Sequence, residues 1–255
     1  MSTKRTRTVH QETPVRGRTA AVYEAAKHIY FVSEGNRELV RSMLATPLLN
    51  SSVISNPFAV SYNADPPWPA DDSAELRLAC VGRLYPSAKG QDLIFAALAD
   101  KKWRDRAVSV TLYGNGPDKP ALEASIKMYN LQNARFGGYV HDIEAIWAKH
   151  HALILPSRYE GLPIAVIEAM ICNRACIVTD IAGNAEHIED NVTGFVAPGA
   201  RIHYVDDALE RCWQNRSKLQ EMGKAAGSAI RARIPADPIL DFTDRLESVI
   251  DNTLR

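Results

Sequence analysis

The fold is decided by the stretch Ala152-Leu-Ile-Leu-Pro156-Ser-Arg-Tyr-Glu160-Gly-Leu-Pro163-Ile-Ala-Val-Ile-Glu168-Ala-Met170. It opens with an apolar run that predicts a buried strand, continues as a polar loop, and ends in an apolar helix that carries one charge, Glu168. Pro163 fits the first helical position, which needs no backbone N–H. The stretch therefore predicts a strand, a loop and a helix in succession.

The same alternation extends in both directions from this stretch. Apolar runs separated by helical segments or short helical turns occupy residues 76–81, 108–113, 134–139, 152–155, 175–179 and 195–197. Such runs indicate a parallel sheet covered on both faces and built from right-handed βαβ units. We therefore predict an α/β fold with a Rossmann-like, doubly wound parallel sheet over residues 76–234.

The segment before this domain is too small to bury a core of its own. Residues 19–60 read as a helix, an apolar run at 28–32, a second helix over 37–44 and a short strand at 52–55. This αβαβ pattern is only part of a domain. Three prolines mark residues 61–75 as a linker, and the basic residues 1–18 are predicted to be a disordered tail.

The end of the chain is predicted to be helical. Residues 202–232 read as one long helix, which Pro235 and Pro238 end. Residues 235–255 then supply a last amphipathic helix, which places Ile239, Phe242, Leu246 and Ile250 on one face.

Composition excludes several classes of protein. The 30 Lys and Arg residues balance the 30 Asp and Glu residues, so no global field favours nucleic acid. The turn signal between Cys172 and Cys176, with no second ligand pair, argues against a metal site, and the four cysteines read as reduced core residues. With no signal peptide and no membrane-spanning run, we predict a cytoplasmic protein that contacts membranes at most peripherally.

The loops after the strands are where ligands bind in a doubly wound sheet. After residue 81 the chain reads Gly82-Arg83-Leu84, and Lys89-Gly90 opens the next helix. Two cations beside free backbone N–H groups suit a diphosphate, although a solvated turn gives the same pattern.

Two further loops carry weaker signals. Gly114-Asn115-Gly116 lacks the third glycine of the dinucleotide fingerprint, which disfavours nicotinamide cofactors, and Tyr139-Val140 offers backbone groups to a base or is an ordinary strand end.

The fourth loop carries two carboxylates. Glu160 is predicted to lie beside the helix N-terminus, with Glu168 about a turn and a half inside the helix. Two acceptors at that separation can hold hydroxyls of two sugar rings, with the N–H groups of Gly161 and Leu162 turned toward phosphate between them. The structural alternatives are a capping role for Glu160 and a salt bridge for Glu168.

Together these loops resemble the donor half of retaining glycosyltransferase family 4, the glycosyl transferases group 1. The resemblance rests on four runs in order: Val81-Gly-Arg-Leu84 with Lys89-Gly90, Leu112-Tyr-Gly-Asn-Gly-Pro117, Ser157-Arg-Tyr-Glu-Gly-Leu-Pro163 with Glu168-Ala169, and Ile181-Ala-Gly-Asn-Ala-Glu186 with Thr193-Gly-Phe195. It implies a GT-B architecture, in which a sugar nucleotide binds between two facing Rossmann-like domains without a metal or a cofactor.

The resemblance also implies roles for single residues. Arg83 and Lys89 would neutralise the donor diphosphate and stabilise the departing nucleoside diphosphate, and Glu160 would hold the donor sugar, so these three are the expected catalytic residues. Glu168 would hold the ribose and Tyr139-Val140 would meet the base. The remaining expected donor-binding residues are Gly82, Gly161, Leu162 and Pro163. No nucleophile is assigned.

One departure from the family concerns the acceptor. A complete member has an acceptor domain before the linker, and residues 19–60 match only its closing elements. We therefore expect an acceptor domain supplied in cis or in trans, an acceptor that is a carbohydrate or a lipid, and self-association through the last helix. The alternatives are a non-catalytic module that binds nucleotide sugars or other partners, and a sugar-nucleotide epimerase, whose acidic and histidine residues we do not find.

Overall fold

The computed structural model of this protein describes residues 14–70 and 75–254. Helix α1 spans Pro14–Ala25, so residues 14–18, predicted to belong to a disordered tail, are helical. The proline at the start of α1 suits a first helical position. The first 13 residues of the predicted tail lie outside the described residues.

The N-terminal segment has the predicted αβαβ order. After α1 come β1 (Ile29–Phe31), α2 (Glu34–Leu44) and β2 (Ser51–Val53), and β1 pairs in parallel with β2. Helix α2 begins three residues earlier than predicted because the Ser33 hydroxyl caps it by accepting a hydrogen bond from the Asn36 N–H. The helix ends at Ala45 in the left-handed conformation, with φ of 54°.

The second part of the chain forms a six-stranded parallel sheet, as predicted. Its strands are β3 (Leu76–Val81), β4 (Val108–Tyr113), β5 (Ala134–Gly138), β6 (Ala152–Leu155), β7 (Ala175–Thr179) and β8 (Gly194–Ala197). They lie in the order β5-β4-β3-β6-β7-β8, and every neighbouring pair is parallel. The chain thus builds outward from β3 to one edge, returns to the centre with β6, and builds to the other edge.

Helices and turns connect these strands. The helices are α3 (Pro86–Lys89), α4 (Gln91–Leu98), α5 (Lys101–Arg104), α6 (Lys119–Met128), α7 (Ile143–Trp147) and α8 (Ile164–Ile171). Turns without an assigned helix connect β7 to β8. Apart from the edge strand β5, the strands are largely buried, and Phe95, Trp103, Trp147 and Phe195 fill the space between sheet and helices.

The four cysteines are free and buried, as the sequence indicated. Burial raises the pKa of the Cys80 and Cys212 thiols to about 12, so these side chains behave as small apolar core residues. Cys172 ends α8, and Asn173 turns the chain with φ of 58°.

The linker is fixed to the sheet domain by two arginines. Arg174 is 1% exposed, and its guanidinium donates to the carbonyls of Pro67 and Trp147 and stacks on the Trp68 ring. Burial lowers the pKa of Arg174 to about 10. Arg231 donates to the carbonyls of Tyr62 and of Ala64.

The prediction of one helix over residues 202–232 is wrong. Helix α9 (Ile202–Gln214) ends at Asn215, whose amide donates to the Arg211 carbonyl, and a 3-10 turn leads into α10 (Leu219–Arg231). An asparagine side chain that bonds local backbone competes with helix continuation.

The last helix, α11 (Pro238–Leu254), contacts the N-terminal segment. Phe242 packs edge-on against Tyr30, with ring centroids 5.1 Å apart. The other three residues of the predicted face, Ile239, Leu246 and Ile250, are 63%, 40% and 48% exposed. Self-association through them stays a prediction. No described helix combines the length and the apolar character that crossing a membrane requires.

We predict that Gly90→Ala destabilises the protein more than Gly138→Ala. Both glycines have positive φ, 67° and 73°, which costs an alanine about 1–3 kcal/mol. A side-chain carbon at Gly90 would also lie 2.0 Å from the Pro156 carbonyl oxygen, whereas one at Gly138 meets nothing within 4 Å. Urea unfolding of the two variants checks this. Equal losses would show that residues 90 and 156 do not need their close approach.

Candidate functional site

The strand order reverses between β3 and β6 at the centre of the sheet. In open α/β sheets a crevice forms where the loops after two such strands part in opposite directions. Here these loops are residues 82–90, after β3, and residues 156–163, after β6. Two of the four loops singled out from the sequence therefore flank one crevice.

A cavity of about 380 Å³ opens beside the loop after β3. Most of its wall is apolar, and Tyr113, Val140, Ile143 and Ile146 contribute to it. Tyr139, 62% exposed, stands at the wall with its ring edge-on to His141 at 4.8 Å. Gly82 and Arg83 also line the cavity. The cavity therefore combines one cation, Arg83, with an apolar surface that suits a flat apolar group.

Arg83 is an exposed cation that the protein does not neutralise. No carboxylate of the described residues lies within ion-pair distance of it. Its guanidinium stands 5.9 Å from the centre of the Tyr85 ring, and its backbone carbonyl accepts a hydrogen bond from the buried Gln91 amide. Arg83 is therefore available to an anion that enters the cavity.

Lys89 and Glu160 meet across the crevice. The Lys89 ammonium donates to Oε1 of Glu160 at 2.5 Å, and the Ser157 hydroxyl donates to the same oxygen at 2.7 Å. Glu160 is only 7% exposed, so this pairing offsets the cost of burying its charge. No described group donates to Oε2 of Glu160. The capping role considered for Glu160 is thus replaced by a contact between the two loops.

Lys89 does not line the cavity, but it lies next to Gly82, which does. A side-chain carbon built on Gly82 would lie 3.8 Å from Cε of Lys89. The structure therefore brings Gly82, Arg83, Lys89 and Glu160 into one continuous region.

Glu168 is buried in α8 and faces the N-terminal segment. Its Oε1 accepts a hydrogen bond from the Ala59 N–H at 2.9 Å. No cation of the described part of the chain pairs with it, so the salt bridge considered for Glu168 is absent there. Burial raises the pKa of Glu168, and the Ala59 hydrogen bond opposes this shift without cancelling it. Glu168 does not belong to the residues that line the 380 Å³ cavity.

The rest of the loop after β6 also faces the N-terminal segment. A side-chain carbon built on Gly161 would lie 3.5 Å from Nδ2 of Asn36, and the Gly161 carbonyl accepts a hydrogen bond from the Gly183 N–H at 3.2 Å. Leu162 lines a second, polar cavity of about 230 Å³, to which Val53, Glu186 and Arg233 contribute. Pro163 is the cap of α8, which begins at Ile164, so its predicted first helical position is off by one residue.

Sequence reasoning missed the polar residues that hold these loops. Ser157 lies two residues after the end of β6, and a hydroxyl three residues before an acid at a strand end was its available signal. Asn184, 0% exposed, donates to the carbonyls of Leu155 and Thr179 and so ties β6 to β7. Arg158 pairs with Asp92, which is 66 residues away in the sequence, and no local sequence pattern predicts this contact.

No group of three or more His, Cys, Asp or Glu side chains in the described residues is arranged to hold a metal ion. The expectation of a metal-free site stays a prediction. The positive charges at the crevice come from the side chains of Arg83 and Lys89.

Comparison with known proteins places this chain in a family. A model for glycosyl transferases group 1 matches residues 75–215, more than half of the chain. The alpha-D-kanosaminyltransferase of Streptomyces kanamyceticus is 32% identical over 149 residues, 57% of this chain and 38% of that enzyme. The poly(ribitol-phosphate) alpha-N-acetylglucosaminyltransferase of Staphylococcus aureus strain COL is 28% identical over 202 residues, 76% of this chain and 40% of that enzyme.

A solved structure agrees on the fold. Anabaena HepE in complex with UDP-glucose matches with a TM-score of 0.77 at 19% identity, covering 91% of this chain and 67% of HepE. The chain spans about two fifths of the length of the two curated relatives. The parallel sheet corresponds to GT-B glycosyltransferase structures, and the chain belongs to the family of glycosyl transferases group 1.

Proposed function

We propose that residues 76–234 bind the donor in a retaining glycosyltransferase of family 4. The reaction is transfer of a sugar from a nucleoside-diphosphate sugar to a carbohydrate or lipid acceptor, with retention at the anomeric carbon. The observation that carries this proposal is the meeting of Lys89 and Glu160 at the strand-order reversal, beside a cavity whose only charged lining residue of those described is Arg83.

The arrangement supplies charge where a leaving group needs it. When the glycosidic bond to the diphosphate breaks, negative charge grows on the phosphate oxygens, and fixed cations stabilise that charge without having to reorganise. Arg83 pairs with no carboxylate of the described residues, and Lys89 lies next to Gly82 of the cavity lining. Both side chains therefore serve as electrostatic catalysts for departure of the nucleoside diphosphate.

The carboxylate Glu160 is prepared to bind the donor sugar. Lys89 and Ser157 both occupy Oε1, which leaves Oε2 to accept a hydrogen bond from a sugar hydroxyl. The apolar wall with Tyr139 and Val140 receives the base, and Glu168 holds the ribose hydroxyls with the oxygen that Ala59 does not use. Gly82, Gly161, Leu162 and Pro163 complete the donor site through their backbone.

The acceptor site is proposed to lie in a further domain, in the same or a partner polypeptide. Two curated relatives that are more than twice as long as their match to this chain are named as transferases of amino sugars. UDP is the first nucleotide to test because HepE binds UDP-glucose on this fold.

Calorimetric titration with UDP, GDP and ADP in magnesium-free buffer tests the donor site. We expect one nucleotide to bind with micromolar affinity and Arg83→Ala to weaken it about 10- to 100-fold, the value of one charge-assisted hydrogen bond. Arg104→Ala is the control, since Arg104 is likewise an exposed arginine but lies in α5, which precedes β4. Failure of a folded chain to bind any of the three nucleotides would refute the proposal.

A second prediction concerns the effect of Glu168 on both stability and binding. Because its pKa is raised in the folded state, the buried carboxylate is expected to lower the free energy of unfolding at neutral pH. Glu168→Gln keeps an acceptor for the Ala59 N–H, so we expect the variant to unfold at higher urea than the native chain at pH 7. This advantage should shrink as pH falls through the raised pKa toward the ordinary value of 4.5, because the native carboxyl then takes up a proton.

The same variant should bind the preferred nucleotide about tenfold more weakly, because an amide is a poorer acceptor for two hydroxyls than a carboxylate. Urea unfolding from pH 4 to 7.5 and calorimetry measure the two effects. A variant that is less stable at pH 7, or that binds as well as the native chain, contradicts the role given to Glu168.

A further inference from the structure

We infer that Asp92 and Arg158 form a positioning pair that keeps Lys89 and Glu160 in contact. The inference rests on the proposed function, because the contact matters for catalysis only if Lys89 and Glu160 serve a sugar nucleotide. Neither residue lines the 380 Å³ cavity, so their effect on the site is exerted through the two loops.

Helix α3 cannot hold Lys89 in place by itself. It is a single turn of four residues, Lys89 is its last residue, and Tyr85 at its start provides no side-chain cap. Isolated turns of this length are unstable because one hydrogen bond does not offset the ordering of the backbone. The position of Lys89 must therefore come from contacts with other parts of the chain.

The backbone of the loop after β6 provides the first of these contacts. The Ala88 carbonyl accepts hydrogen bonds from the N–H groups of Arg158, at 2.7 Å, and Tyr159, at 3.2 Å. These hydrogen-bonded residues lie one or two positions from Lys89 or Glu160 in the sequence, so the backbone contact sets the two side chains next to each other. A shift of either loop would separate them.

The Arg158 guanidinium provides the second contact. It donates to both carboxylate oxygens of Asp92, at 2.6 and 2.7 Å, and its Nη1 also donates to the Pro86 carbonyl at 2.8 Å. One planar group thereby joins the loop after β6, the first residue of α3 and the first turn of α4. The hydrogen bonds that Arg158 donates to Asp92 are the largest cause of its raised pKa.

The pair is partly exposed, with 32% of the Arg158 side chain and 45% of the Asp92 side chain accessible. Pairs of this exposure contribute little to global stability, so their removal should leave the fold intact. The forked geometry matters more than the charge, because a lysine cannot bond two carboxylate oxygens and a carbonyl in one plane.

Amine labelling at Lys89 measures the contact without any ligand. In Asp92→Asn we expect acetic anhydride to modify Lys89 at least about threefold faster than in the native chain, the size expected for a half-exposed ion pair. Lys101, 86% exposed, is the internal reference within each digest. Mass spectrometry of the peptides gives both rates.

The matched control is Asp190→Asn. Asp190 pairs with Arg211 at 2.8 Å with similar exposure, 44% and 24%, and Arg211 also donates to a backbone carbonyl, that of Val196. This pair lies at the amino end of β8, whereas the crevice lies at the carboxyl ends of the strands. Its loss should leave the Lys89 rate unchanged. Unchanged labelling of Lys89 in a folded Asp92→Asn chain overturns the inference.

Nucleotide binding supplies the second measurement. With the nucleotide that the native chain prefers among UDP, GDP and ADP, we expect about tenfold weaker binding in Asp92→Asn and Arg158→Lys, and native binding in Asp190→Asn. Faster labelling with unweakened binding also overturns the positioning role. If the native chain binds none of the three nucleotides, the proposed function fails while the labelling still decides whether the pair holds Lys89.

Discussion

The pairing of β3 with β6 is the constraint on which the site depends. It consists of two registered residue pairs, Leu78 with Ala152 and Ala79 with Leu153, whereas β3 and β4 share six. This short parallel contact joins two halves of a sheet that the chain builds in opposite directions. Because parallel strands end at the same edge, it also sets the loops after β3 and β6 beside each other.

The two glutamates of the site are buried in different electrostatic settings. Glu160 has an ammonium and a hydroxyl on one oxygen, so its charge is compensated before any ligand arrives. Glu168 has one backbone N–H and a pKa raised by burial. Burial disfavours the charged form of Glu168, and the ribose-binding role that we propose gives a reason for a carboxylate in an otherwise apolar helix.

Much of this structure was accessible from the sequence, because its strands are continuous apolar runs and its site lies in the loops that follow them. The order of those loops sufficed to place Arg83, Lys89 and Glu160 at one edge of the sheet. The break at Asn215 was missed because helical periodicity continues across it, and the bond from Asn215 to the Arg211 carbonyl leaves no mark in that pattern. The pair of Asp92 and Arg158 was missed because it exists only once β3 and β6 are adjacent. The roles of these residues in binding a donor rest on the proposed function.

The buried guanidinium of Arg174 has a consequence for how the two parts of the chain move. With Pro67 bonded to Arg174, Trp68 stacked on it, and Tyr62 and Ala64 bonded to Arg231, residues 62–68 of the proline-rich linker are held against the sheet domain. Rotation of the N-terminal segment must instead bend the chain between β2 and Tyr62, where Ala59 bonds Glu168. Such a rotation would therefore pull directly on the carboxylate that we propose binds the ribose, because Ala59 is bonded to it.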